Sequence, residues 1–366
     1  MAMRFADSFD HYAYSDLALK WTQKIAGGAL STIGSVGRNS TSGLNLKCGV
    51  FSATDRVCKV FGNASGATCI VSFAYKNVNA FSAWNNSSTE NTNATGGSAA
   101  TILSIRQGAT TQVWFAINTS GQIVAYRGTT ALGTSSSALS QNVYHYLEFK
   151  VVIDDSTGTV TVKMDGTTIL TLTSQDTKAT SSATWDEVCL GCFGAPGGTA
   201  IDNQYDDLIV MDGSGSYNND FLGDRRVSAL FPNAVGNSSG SVSSGGGGTA
   251  DRYTMVDETS LNSDTDYNTF AATGDKDTYG CQNCPTSGAP VSAVVVSIAA
   301  KKADAGEAGV AAVARISGTD YDSATLGVPG GYVVQQAIWD RSAVDGTTAW
   351  TTAVIDAAEF GVKKAS

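Results

Sequence analysis

Short apolar runs that alternate with polar residues and stop at glycine, asparagine or serine constrain this chain more than any other feature. In residues 159–173, Val160, Val162 and Met164 fall on one face at a period of two, Asp165-Gly166 supplies a hairpin turn, and Ile169-Leu170-Thr171-Leu172 returns. A slip of one residue would turn that whole apolar face to solvent, so the register is strongly specified. The same pattern recurs in LNLKCGVF, CKVFG, TCIVSFAYKNV, TILSIRQ, QVWFAINTSGQIVAYRG and YHYLEFKVVID, with no helical periodicity between them. Many short strands joined by turn residues predict an all-β chain built as a sandwich or jelly roll.

A chain of 366 residues is long enough for two such cores. The Ser/Gly run from Asn237 to Thr249 buries too little apolar surface to fold alone and reads as a flexible link. The expected division is a jelly-roll domain over residues 1–227, a Gly/Ser-rich linker over 228–252 and a small C-terminal β-domain over 253–366. The opening FADSFDHYAYSDLALKW reads as an extended lead-in containing the first strand. In the C-terminal part, SAVVVSIAAKK, GVAAVARISG and GYVVQQAIW read as strands. Residues 349–363 place Trp350, Val354, Ala357 and Ala358 at helical spacing, with Thr347 or Thr348 as N-cap and Gly361 as terminator, which predicts one short helix.

Charged residues make up only 15% of the chain and the net charge is −10, with no basic cluster longer than a Lys or Arg pair, which argues against nucleic-acid binding. No apolar run approaches the ~18–20 residues of a membrane span, and MAMRFADSFDHY lacks the apolar centre of a signal peptide. A chain made and held in a cytoplasm, away from membranes, is the expectation.

Seven cysteines cannot all pair within one chain. The disulfide candidates are Cys48, Cys58, Cys69, Cys189, Cys192, Cys281 and Cys284, against the simpler reading as buried small hydrophobes. CLGC and CQNC together carry four thiols, but the Ser/Gly run separates them and the first lies in a strand, which argues against a shared zinc. Asp202, Asn203, Asp206 and Asp207 offer oxygen ligands for calcium, or else form a turn and a charged strand edge. Glu148, Asp186 and Glu187 stand without the paired carboxylates that glycoside hydrolysis requires. His11 and His145 are the only histidines, and His145 between Tyr144 and Tyr146 reads as a packed strand residue. No catalytic residue is assigned. Trp84, before the polar loop NNSSTENTNATGG, is the candidate for stacking on a glycan, while Trp114 reads as core.

The stretch Ile201 to Val227, IDNQYDDLIVMDGSGSYNNDFLGDRRV, reads as a last strand followed by a polar connector. It resembles a segment of structural proteins of tailed bacteriophages in which a DDL-x-V-x-DGSGS-x-NNDFLGD run closes a lectin-like jelly roll. The opening F-x-DSFDHY and the C-terminal DTDY…GDKDTY segment are similar to such proteins too. The order of strands from QVWFAIN to TVTVKMDG also resembles the laminin-G/concanavalin-type family, over about residues 5–212. The resemblance implies a non-enzymatic structural protein on the virion exterior, assembled in the host cytoplasm, most simply a tail, neck or collar appendage. A capsid decoration protein and a host-glycan-binding adhesin are the alternatives. It further implies a homo-oligomer, a trimer by analogy with phage fibres, in contact with other virion proteins.

Overall fold

The computed structural model describes residues 2–26, 31–48, 54–83, 90, 100–193, 201–245 and 251–366. Among the described residues, fifteen strands precede residue 213: β1 (Met3–Asp7), β2 (Gln23–Ala26), β3 (Thr32–Gly34), β4 (Gly43–Cys48), β5 (Thr54–Ser65), β6 (Thr68–Asn77), β7 (Ala100–Gln107) and β8 (Thr110–Ile117), then β9 (Gln122–Arg127), β10 (Thr130–Ala138), β11 (His145–Val152), β12 (Gly158–Met164), β13 (Thr167–Gln175), β14 (Trp185–Phe193) and β15 (Ile201–Asp212). They form two antiparallel sheets. The first runs β13-β12-β11-β6-β15-β4-β3, with β1 also paired to β15, and the second runs β10-β9-β8-β7-β14-β5-β2. This is the expected all-β sandwich. The predicted hairpin is there as well: Asp165 and Gly166 both take positive φ (52° and 80°) between β12 and β13, the backbone a two-residue turn demands.

The inner faces meet through aromatic rings. Phe149 on β11 stacks on Phe73 of β6 and lies 4.7 Å from Phe115 of β8 in the opposite sheet. The Tyr205 hydroxyl, from β15, donates across the core to the carbonyl of Gly191 on β14 (2.7 Å), and Trp185 Nε1 donates to the carbonyl of Thr68 (2.8 Å). These buried polar atoms are satisfied from the opposite sheet, so the two layers are locked in one relative position as well as pressed together.

The chain divides into two compact units, and their boundaries differ from the expected ones. One contains residues 2–9 and 21–227, and the other residues 10–20 and 228–366. The opening segment therefore contributes β1 to the jelly roll and then residues 10–20 to the second unit. There Tyr12, Leu17 and Lys20 are buried, and Lys20 Nζ sits 2.9 Å from His11 Nε2 and over the Tyr12 ring.

The second unit contains β16 (Pro232–Ser239), β17 (Val242–Gly245), β18 (Tyr267–Phe270), β19 (Lys276–Cys281), β20 (Val294–Ala300), β21 (Gly309–Ile316), β22 (Thr319–Asp322), β23 (Leu326–Gly327), β24 (Val333–Trp339) and β25 (Glu359–Lys364). Its main sheet runs β16-β19-β25-β21-β22, with two-stranded ribbons β17-β18 and β20-β24. Much of the expected linker is thus strand, because β16 finds a backbone partner in β19 that its own composition does not reveal.

The expected helix is also shorter. Only residues Thr352–Ala357 are helical, the N-cap is Thr351, and Gly361 lies inside β25. β25 is paired on both sides, to β19 and β21, and that double pairing takes residues 359–364 out of the expected helix. A Cβ at Gly361 would fall 2.0 Å from the carbonyl oxygen of Asp277, so only glycine fits this close strand approach.

Candidate functional site

The outer face of the second sheet carries a polar cluster. Cross-strand register places Arg106 of β7 opposite Glu187 of β14, Ser104 opposite Cys189, Cys189 opposite Cys58 of β5, and Gly191 opposite Arg56. Successive residues alternate faces, so Arg56, Cys58, Ser104, Arg106, Glu187 and Cys189 share one side. Cys58 and Cys189 form a disulfide across this pair of strands. It clamps together the strands that carry Arg56 and Glu187. Trp114 and Tyr126 continue the face, stacked at 4.2 Å and packed with Ala116 and Val124.

The charges on this face are largely removed from water. Arg56, Arg106 and Glu187 are 6%, 7% and 3% exposed. Arg106 Nη1 donates to Glu187 Oε2 at 2.6 Å and its Nη2 to the carbonyl of Ala109. Ser104 donates to Glu90 Oε1 at 2.6 Å. Three buried guanidinium nitrogens, Nε and Nη1 of Arg56 and Nε of Arg106, have no acceptor. Burial, and then the neighbouring Arg106, lower the Arg56 pKa, while burial raises that of Glu187 against the pull of the two arginines. Neither arginine was singled out in the sequence. The usable signal was a basic residue at an alternating position of a strand, in RVCKV and SIRQ, which by itself reads as solvated.

A second cluster sits on the outer face of the first sheet, around Arg38. Asp207 has φ +53° at an irregularity in the β15–β6 pairing between Asp206 and Ile209. An aspartate tolerates this left-handed backbone better than most residues. Both carboxylates thereby reach the same arginine. Asp206 Oδ2 accepts from the Arg38 backbone N–H (2.7 Å), and Asp207 Oδ2 accepts from Arg38 Nε (2.9 Å). Arg38 also holds the connector after β15, through Asp224 (2.6 Å) and the carbonyl of Arg225. The Val227 N–H donates to Asp207 Oδ1, the Gly223 N–H to Glu148 Oε1, and Lys150 pairs with Asp220 at 3.0 Å. Lys163 lies over the Phe221 ring. Burial, then the adjacent Asp207, push the Asp206 carboxyl up to about 7, and burial also raises Asp207.

The four calcium candidates do not converge. Asn203 points between the sheets, where its amide meets the Tyr75 hydroxyl and the carbonyl of Gly191. Asp202, the next residue, faces the other way, its backbone N–H bonded to Asn79. Asp206 and Asp207 are committed to Arg38 and to backbone N–H groups. Among the described residues, one His/Cys/Asp/Glu group has its ligand atoms within 4.8 Å, namely Cys58, Glu187 and Cys189, and two of its three members are the disulfide.

Of the seven disulfide candidates, Cys58 and Cys189 are the two that pair among the described residues, and Cys69 is a buried free thiol. Cys281 and Cys284 are free as well, and burial pushes both thiols up to about 11. The side chains of Cys48 and Cys192, and all of Trp84, lie outside the described residues. His145 is a buried strand residue. Its Nε2 accepts from the Ser140 N–H, which assigns the proton to Nδ1, and Nδ1 then donates to Asp165 (2.7 Å). Trp114 is buried, as expected.

No protein-family model and no curated protein matches this chain. Among solved structures it is similar to a sialidase (TM-score 0.40, 9% identity, over 57% of this chain and 18% of that one). It is also similar to alginate lyase Aly36B (TM-score 0.37, 11% identity, 57% and 96%) and to a protein of unknown function with a galectin-like fold from Bacillus subtilis (TM-score 0.37, 12% identity, 58% and 96%). The chain spans less than a fifth of that sialidase's length.

Proposed function

We propose that this chain is a non-enzymatic structural component of the exterior of a tailed-phage virion, a tail, neck or collar appendage, working as a homo-oligomer in contact with other virion proteins. The observation that carries this reading is how the phage-like stretch is used. In Ile201–Val227, β15 runs between β6 and β4 of the first sheet, and acidic groups at its end and in the connector are spent on fastening the stretch: Asp212 to Arg4 (3.1 Å), Asp220 to Lys150 and Asp224 to Arg38. A strand paired on both sides and pinned by a strap suits a part whose task is to hold its shape. Supporting it, the buried carboxylates Asp206, Asp207 and Glu187 are each engaged by a guanidinium or a backbone N–H, an arrangement that serves structure better than proton transfer.

Particle density decides between positions: a fitted chain at the tail, neck or collar supports the appendage, and a chain on the capsid lattice favours the decoration alternative. The trimer is checked by the native mass of the isolated protein. The adhesin reading has its own observation, the buried and partly unpaired arginines on an outward face. Particles lacking the protein separate the two: loss of adsorption supports the adhesin, whereas fragile particles that still adsorb support the structural role.

A further inference from the structure

We draw no further inference here: the strongest candidate, the outer edge of β20 (Val294–Ala300) in the β20-β24 ribbon, an uncharged and mostly apolar strand that among the described residues pairs with β24 alone, carries nothing because nothing in the structure shows what covers it.

Discussion

Replacing Asp206 by asparagine is expected to change how the stability of the jelly-roll unit responds to pH. Burial and the neighbouring Asp207 raise the Asp206 carboxyl from 3.8 to about 7 in the folded chain. The folded state therefore holds a proton that the unfolded state has lost between those two values, and stability must fall as pH rises through that window and level off above it. At about 1.4 kcal/mol per unit, a shift from 3.8 to about 7 is roughly 4 kcal/mol, an order-of-magnitude figure for a pair that titrates together. The Asp206→Asn variant loses that dependence but keeps only one acceptor oxygen. The parent carboxylate uses both, accepting from the Arg38 N–H on Oδ2 and from the Asp207 N–H on Oδ1. That loss costs about 1–3 kcal/mol at every pH. Asp206→Asn should thus be less stable than the parent near pH 4 and equal or more stable at pH 8. Urea unfolding followed by tryptophan fluorescence at several pH values measures the difference between the two proteins. Its span of about 4 kcal/mol corresponds to roughly 8–16 °C in Tm for a unit of this size. Parallel profiles for parent and variant across pH 4–8 would refute the assignment of a raised carboxyl to this site.

Arg38→Ala leaves Asp207 without its cation and unties the connector at Asp224 and Arg225; about 3–5 kcal/mol should be lost, and limited proteolysis should now cut between residues 213 and 227, a pattern whose absence would mean that the strap is held elsewhere. Cys58→Ser removes a bridge closing 131 residues, with a chain-entropy contribution of at most about 5 kcal/mol, and should lower the Tm of the jelly roll. Thiol counting on the denatured, unreduced chain should find no more than five reactive groups, seven cysteines less the two in that bridge. Gly361→Ala, which drives a methyl toward the Asp277 carbonyl between two paired strands, should cost about 1–3 kcal/mol in the second unit and leave the jelly-roll transition in place in calorimetry.

The all-β class, the hairpin at Asp165-Gly166 and the buried side of β12 were legible in the sequence, because a period of two and turn chemistry are local properties of the chain. The role of Ile201–Asp212 as a sheet strand was legible for the same reason, and so were the strands β20, β21 and β24. Periodicity assigns a residue to one of two faces but names no neighbour. That Cys58 bonds Cys189 rather than Cys48 or Cys69 depends on β5 lying beside β14, 131 positions away. The helix over 349–363 shrank to six residues because β19 and β21 offered β25 backbone partners on both sides. Residues 10–20 looked continuous with β1, yet they bury Tyr12 and Leu17 in the other unit. The arginine face was the least legible feature. A lone arginine at an alternating position looks solvated until the register sets Arg106 opposite Glu187 and puts Arg56 on the same face, two strands from Arg106, where burial removes their water. Local sequence chose strand, turn and face; tertiary structure chose the neighbours, and a charge becomes a site only through the neighbours that desolvate it and the partners they withhold.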